Sequence, residues 1–307
     1  MTKPLVILVT GATAGIGKAT ALHLHSHGHR VIGTGRNAKA LAELKSAGIT
    51  ALTLDVTSQA SIDAARAEVD RVTDGYGLDV LVNNAGYGLF GPLEVLDDAD
   101  VRAQFDTNVF GLLAVTRAFL PAMRERRSGR IVNVSSVGGR MVFPLGGAYH
   151  ATKFAVEAMS TALRLELKPF GVRVSVVEPG YIKTDFTATT LSHADKYAKD
   201  TDSPYAHMMT SLTGMVGNLE RFAVGPGSVA RAIEAASVSR FPRARYVAPF
   251  YNAMGPIMLA LTPTFLTDWF FRRAAGLVPP PTLPARAASL QSRAKTQESS
   301  GVAAPMS

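Results

Sequence analysis

Residues 5–17 read LVILVTGATAGIG: five apolar residues, a threonine, then Gly11, Gly15 and Gly17 in the spacing Gly-x-x-x-Gly-x-Gly. An apolar run this short, ending in a glycine turn, reads as a buried strand. It is too short for the apolar core of a secretory signal, and glycines stand where a cleavage site would be needed. Gly11 lets the chain turn sharply. Gly15 and Gly17 let the backbone approach a pyrophosphate and let the next helix, predicted over 15–27, pack on the strand. That helix offers free N–H groups and the positive end of its dipole to phosphate. Strand, glycine loop and helix in this order give the pattern its meaning. Gly11, Thr13, Gly15, Ile16 and Gly17 are therefore the predicted cradle of a dinucleotide.

The same alternation continues along the chain. Strands are predicted at 30–35, 49–55, 78–84, 130–136 and 172–179, with helices at 37–47, 58–74, 97–127 and 149–169 between them. Several strands are apolar on both faces, which a parallel sheet covered on both sides requires. The fold class is α/β: a doubly wound, Rossmann-type parallel sheet in a single domain over residues 1–250. A helix at 227–237 and a short last strand in "ARYVAP" complete it. Residues 185–222 break the rhythm, and a segment that long outside the sheet reads as a substrate lid. "GPIMLALTPTFLTDWFFRR" (255–273) is apolar, but Pro256, Pro263 and Asp268 interrupt it, so no bilayer span is predicted. One or two amphipathic helices are expected in this extension, 251–276. Residues 277–307 are rich in Pro, Ala and Ser and are expected to be disordered.

The 307 residues include no cysteine. Disulfides, thiolate catalysis and cysteine-bound zinc are excluded, and a reducing cytoplasm is the expected setting. Residues 221–307 hold ten Lys and Arg against three Asp and Glu, whereas 1–220 are nearly balanced. The reading is a solvated basic face. No nucleic-acid motif accompanies it, and peripheral membrane contact is a minor alternative.

Dinucleotide sites commonly carry an acid at the end of the second strand to hold ribose hydroxyls. Here the segment is "GTGRN", with Arg36 and no carboxylate. A guanidinium pairs with a 2′-phosphate that a carboxylate would repel. The predicted cofactor is NADP(H), with NAD(H) the lesser alternative.

Tyr149 and Lys153 in "YHATK" stand four apart on a predicted helix, hence side by side. A unit charge about 5 Å from the phenol, at an effective dielectric near 20, lowers its pKa by about 2. The expectation is a tyrosine tuned toward neutrality as an acid/base. With "TGATAGIG" (10–17), "NNAG" (83–86), Asn108 in "FDTNVFG" and Ser136 in "VNVSS", these motifs resemble the short-chain dehydrogenase/reductase family over about residues 5–250. A long lid, "RYV" near the end and an apolar C-terminal region give a closer likeness to its steroid- and retinol-type members. The resemblance implies about seven strands and nicotinamide-dependent carbonyl/alcohol chemistry. It assigns Ser136, Tyr149 and Lys153 to catalysis and Asn108 to support. Along the cofactor it places Asp55, Val56, Asn83 and Ala85, with Pro179, Gly180, Ile182 and Thr184 at the nicotinamide end. It also implies a homodimer or homotetramer through helices 97–127 and 149–169. The resemblance selects Ser136 rather than the adjacent Ser135, because the family's serine usually lies thirteen residues before the tyrosine; Ser135 would point to the opposite side of an extended chain.

Met141, Val142, Phe143, Leu145, Tyr181 and the lid, including Phe186, Tyr205, Met208, Met209, Leu212 and Met215, are the candidate substrate wall. It favours a hydrophobic ketone, aldehyde or alcohol. A cofactor-binding sensor, or an epimerase or dehydratase, are the competing readings. "HLHSHGHR" (23–30) looks like a metal tract, with His23 and His27 on one helix face. It ends the first helix, away from the phosphate end, so no metal site is assigned. His150 is read as structural, and His150, Ala151 and Thr152 as spacers.

Overall fold

The structure is a computed structural model that describes residues 3–184, 186–200, 203–209 and 223–274. Seven parallel strands form one sheet: β1 (Val6–Val9), β2 (Arg30–Gly35), β3 (Thr50–Thr53), β4 (Val80–Asn83), β5 (Gly129–Val134), β6 (Val172–Pro179) and β7 (Arg245–Ala248). Their order is β3-β2-β1-β4-β5-β6-β7, so the winding reverses between β1 and β4. The crevice for a ligand opens at the carboxyl ends on either side of that point.

Period-two alternation explains the layers. Ile7 and Val9 of β1 face one buried cluster, with Leu24 of α1 (Gly15–Ser26), Leu41 of α2 (Ala38–Ser46) and Ile233 of α8 (Gly227–Val238). Leu8, between them, faces the other cluster, with Ile62 of α3 (Gln59–Val72) and Phe119 of α5 (Leu112–Glu125). Burying one such side chain contributes about 1.5–3 kcal/mol, and both faces of the strand gain.

The helix predicted at 97–127 is divided. α4 (Asp98–Phe105) and α5 are joined by a π-turn over Asp106–Gly111, which carries Asn108. Such insertions rotate the helix by one residue and favour functional positions. α6 (Gly147–Glu166) carries Tyr149 and Lys153.

The predicted lid contains α7 (Phe186–Ala198). It is tied to the start of α4: Lys196 pairs with Asp97 and Asp100, and the Tyr197 hydroxyl donates to Asp100 at 2.8 Å. Leu212 and Met215 of the lid, and the tail from 277, lie outside the described residues. The extension forms two helices, α9 (Met254–Leu261) and α10 (Thr264–Ala274), parted at Pro263. Phe250, Tyr251, Met254, Leu261, Phe265 and Trp269 on it are 60–78% exposed. No helix of the described residues is long and apolar enough to cross a membrane.

Candidate active site

The glycine loop is bare where a phosphate would lie. Gly11 has φ +64°, and the N-cap residue of α1, Ala14, makes no side-chain cap. The first amides of α1 are therefore free for an anion. A Cβ on Gly17 would stand 2.1 Å from the Gly11 carbonyl oxygen, so α1 can start this close to the loop only with glycine. Asn84 locks the loop from below: its Nδ2 donates to the Thr10 carbonyl at 2.9 Å. These features fit a dinucleotide pyrophosphate.

The other predicted cofactor residues divide. Thr184 lies against Gly15, and Thr13 against Gly35, at the mouth of the crevice. Ala85 is tied by its N–H to the Thr10 hydroxyl at 3.0 Å. The Asn83 side chain points into the core. Its amide donates to Thr116 Oγ1 and Asn133 Oδ1, both at 2.9 Å, inside the core. Ile16 packs on the core, and Ile182 is buried in it and bridges to Val224. Val56 packs against Gly111. Gly180 donates to the Ala248 carbonyl, and the Pro179 carbonyl faces Ser136.

Arg36, 76% exposed, lies 3.6 Å from Asp55. Hydrogen bonds from the Thr57 backbone and hydroxyl, more than Arg36, hold the Asp55 carboxyl below its usual range. A carboxylate therefore does stand beside Arg36, but it comes from the end of β3 rather than β2.

Ser136, Tyr149 and Lys153 converge where β5 ends. The Gly138 N–H donates to Ser136 Oγ at 3.0 Å, and the Ser136 hydroxyl reaches that of Tyr149. Lys153 Nζ donates to the Val134 carbonyl at 3.0 Å and sits 5.8 Å from the Tyr149 ring centre. Ser135 faces the other way, toward Gly139. Asn108 is buried: its Oδ1 accepts from the Tyr87 N–H at 3.0 Å, and its Nδ2 donates to the Tyr87 carbonyl and to Thr152 Oγ1. It fixes the turn after "NNAG" against α6.

The protonation equilibria correct the expectation from spacing. Burial pushes the Tyr149 phenol up to about 12, against a smaller lowering by the Ser136 hydrogen bond. Burial pushes Lys153 down to about 8, partly opposed by Glu157. In the protein alone, desolvation outweighs the attraction between the neighbours.

Two supposed spacers have work to do. His150 is buried, and its Nδ1–H donates to the Gly138 carbonyl at 2.9 Å, bracing the turn whose N–H holds Ser136. Among the described residues its Nε2 has no partner. Thr152 donates to the Tyr149 carbonyl at 2.7 Å and accepts from Asn108. The bond of Thr152 to Tyr149 is local to α6, but the His150 contact with Gly138 and the Thr152 contact with Asn108 join other segments and do not show in the local sequence.

An aromatic wall surrounds Tyr149. Phe90, absent from the sequence-based set, stacks on it at 5.7 Å, and Phe186 lies at 5.8 Å. Phe143 bridges His150 and Phe271 of α10, and Met141 approaches Gly255. The extension therefore reaches the site. Arg140, Glu178, Arg245 and Glu157 form a four-charge network that no sequence motif marks.

Residues 5–195 match the short chain dehydrogenase family. The chain is 37% identical to a 3-ketodihydrosphingosine reductase of Bacteroides thetaiotaomicron over 262 residues, 84% of this chain and 91% of the relative. It is 34% identical to an NADPH-dependent 3-dehydrocapnine reductase of Ornithobacterium rhinotracheale, covering 86% and 95%. The crystal structure of a short-chain dehydrogenase from Streptomyces avermitilis superposes with a TM-score of 0.71 at 33% identity, covering 88% and 97%. This chain belongs to the short-chain dehydrogenase/reductase family: it is an oxidoreductase of the nicotinamide-using, Rossmann-fold class.

Proposed function

We propose that the protein is an NADP(H)-dependent reductase of a hydrophobic ketone or aldehyde, working also in the alcohol-oxidising direction. The convergence of Ser136, Tyr149 and Lys153 beneath the aromatic wall carries this reading. A nicotinamide held in the crevice would supply the hydride. Ser136 holds the substrate oxygen, and Tyr149 donates the proton that the new alkoxide needs. Lys153, cationic below its pKa of about 8, stabilises the phenolate left behind. It has further donors for a ribose hydroxyl. Phe90, Phe143 and Phe186 exclude water from the reacting carbonyl. Within the hydrophobic class, the named relatives favour a long-chain 3-ketone over the steroids and retinoids expected from the lid and extension. The cysteine-free sequence supports a cytoplasmic setting.

The test is NADPH oxidation against a panel of long-chain 3-ketones, steroids, retinals and small polar carbonyls. Preference for small polar substrates sinks the proposal. Arg36 is the residue proposed for the 2′-phosphate, released from Asp55 as the phosphate arrives. Arg36→Glu should raise KM for NADPH about 10- to 100-fold, since a charged hydrogen bond is worth about 1.5–3 kcal/mol. It should change kcat little and NADH kinetics little. A wild-type preference for NADH overturns the cofactor assignment. We also propose self-association through the outer faces of α4, α5 and α6, where Phe110 is exposed. Light scattering that returns a monomer counts against it.

A further inference from the structure

The histidine-rich end of α1 gains a partner in the fold. His23 and His27, one turn apart, meet Glu234 of α8, 211 residues away from His23. His23 Nε2 lies 2.9 Å from Glu234 Oε2, and His27 Nδ1 lies 3.8 Å from Glu234 Oε1. One ligand atom from each of the three falls within 4.8 Å of the others. Two ligands on one tetrahedral zinc stand about 3.3 Å apart when each is about 2.0 Å from the ion. The two observed distances bracket that value. We propose that His23, His27 and Glu234 form a binding site for a borderline divalent cation such as Zn²⁺, separate from the catalytic crevice.

The chemistry of the set matches. Two imidazoles and a carboxylate without thiolates suit zinc, nickel or cobalt(II) and do not suit the oxygen-seeking magnesium or calcium. The side chains of His23 and Glu234 are 21% and 22% exposed and that of His27 is 50% exposed, so water reaches a fourth position. Coordination through His27 Nδ1 would give up its 2.8 Å hydrogen bond to the His23 carbonyl. That carbonyl keeps the N–H of His27 and the hydroxyl of Ser26 as donors, so it is not left unpaired. His29, buried and close enough to Glu234 and His27 to feel both charges, instead has its Nδ1 facing the Leu5 N–H, and it is not part of the set. The bound ion would clamp the C-terminal end of α1 to α8, both of which pack on the same face of the sheet. The N-terminal end of α1 is the proposed phosphate cradle, about 12 residues or 18 Å of helix away. The clamp would therefore stabilise without entering the chemistry.

The experiment uses the full chain without an affinity tag, titrated with ZnCl₂ and separately with Co²⁺, by calorimetry and by the cobalt visible spectrum. The expected result is one equivalent bound per chain and a melting temperature that rises with the metal. His23→Ala and Glu234→Gln should each weaken binding at least about tenfold, the loss seen even for residues that only support a ligand. Glu234→Gln retains an amide oxygen for the His23 contact, so it keeps the fold, and its metal-free turnover with NADPH should equal wild type. His25→Ala is the control and should bind like wild type. Overturning results are no binding by the wild type, binding unchanged in Glu234→Gln, or equal loss in His25→Ala. The second of these would leave only an ordinary pair of surface histidines.

Discussion

Tyr149→Phe should lower kcat for carbonyl reduction by about 10²–10⁴-fold, the usual worth of a positioned general acid. The substitution removes one oxygen from a buried ring that stacks on Phe90 and is flanked by the tilted ring of Phe186, so packing is retained and the fold should survive. NADPH binding, read by its fluorescence, should be unchanged. The pH dependence carries a second signature. With burial holding the phenol near 12 in the protein alone, Tyr149 is protonated throughout the neutral range and ready to donate. Reduction should therefore be flat from about pH 6 to 8, as far as this group decides it. Alcohol oxidation needs the phenolate and should climb with pH, and the variant should lose that climb. Substantial residual turnover in Tyr149→Phe would refute the assignment of the proton donor.

Lys153→Met should abolish most activity and yet stabilise the protein at pH 7. Lys153 is buried, and burial depresses its pKa to about 8 from 10.5. At about 1.4 kcal/mol for each pKa unit, keeping it charged costs the fold about 3 kcal/mol. The variant also gives up the hydrogen bond to the Val134 carbonyl, worth about 1 kcal/mol. A net gain of about 1–2 kcal/mol remains, measurable by urea unfolding. The sign follows from proton binding. Between pH 8 and 10.5 the unfolded chain holds more protons at this site than the folded one, so wild-type stability rises with pH there. The penalty is complete below pH 8 and gone above 10.5. The advantage of Lys153→Met should therefore shrink across that window. A variant less stable than wild type at pH 7 would show that Lys153 is held by interactions stronger than its desolvation. A functional group that costs stability is the usual trade at an active site.

The order of strands and helices was readable because each element is encoded within a few residues. "LVILV" alternates Ile7 and Val9 against Leu8, and both faces proved to be core. The proposed catalytic trio was readable for a related reason: Tyr149 and Lys153 share one helix, and Ser136 follows the strand just before it. The break at the π-turn was not readable, since no local pattern over 106–111 marks it; in the fold, Gly111 lies close to Val56, 55 residues back along the chain. Nor was the direction of the Tyr149 shift. Spacing sets the distance to Lys153, but only burial sets the dielectric that decides which influence prevails.

The fold class, the glycine loop proposed as a phosphate cradle, the proposed acid/base pair and the missing acid after β2 were all legible along the chain. These are statements about neighbours along the chain, where turn chemistry and periodicity act directly. The tertiary structure alone decided what stands opposite them. It set Asp55 beside Arg36, Phe90 on Tyr149 and the Gly138 carbonyl against His150. It also brought Glu234 to His23, closing a gap of 211 residues. Such pairings depend on strand order and helix packing, which fix which distant side chains share a surface, and no local pattern records them.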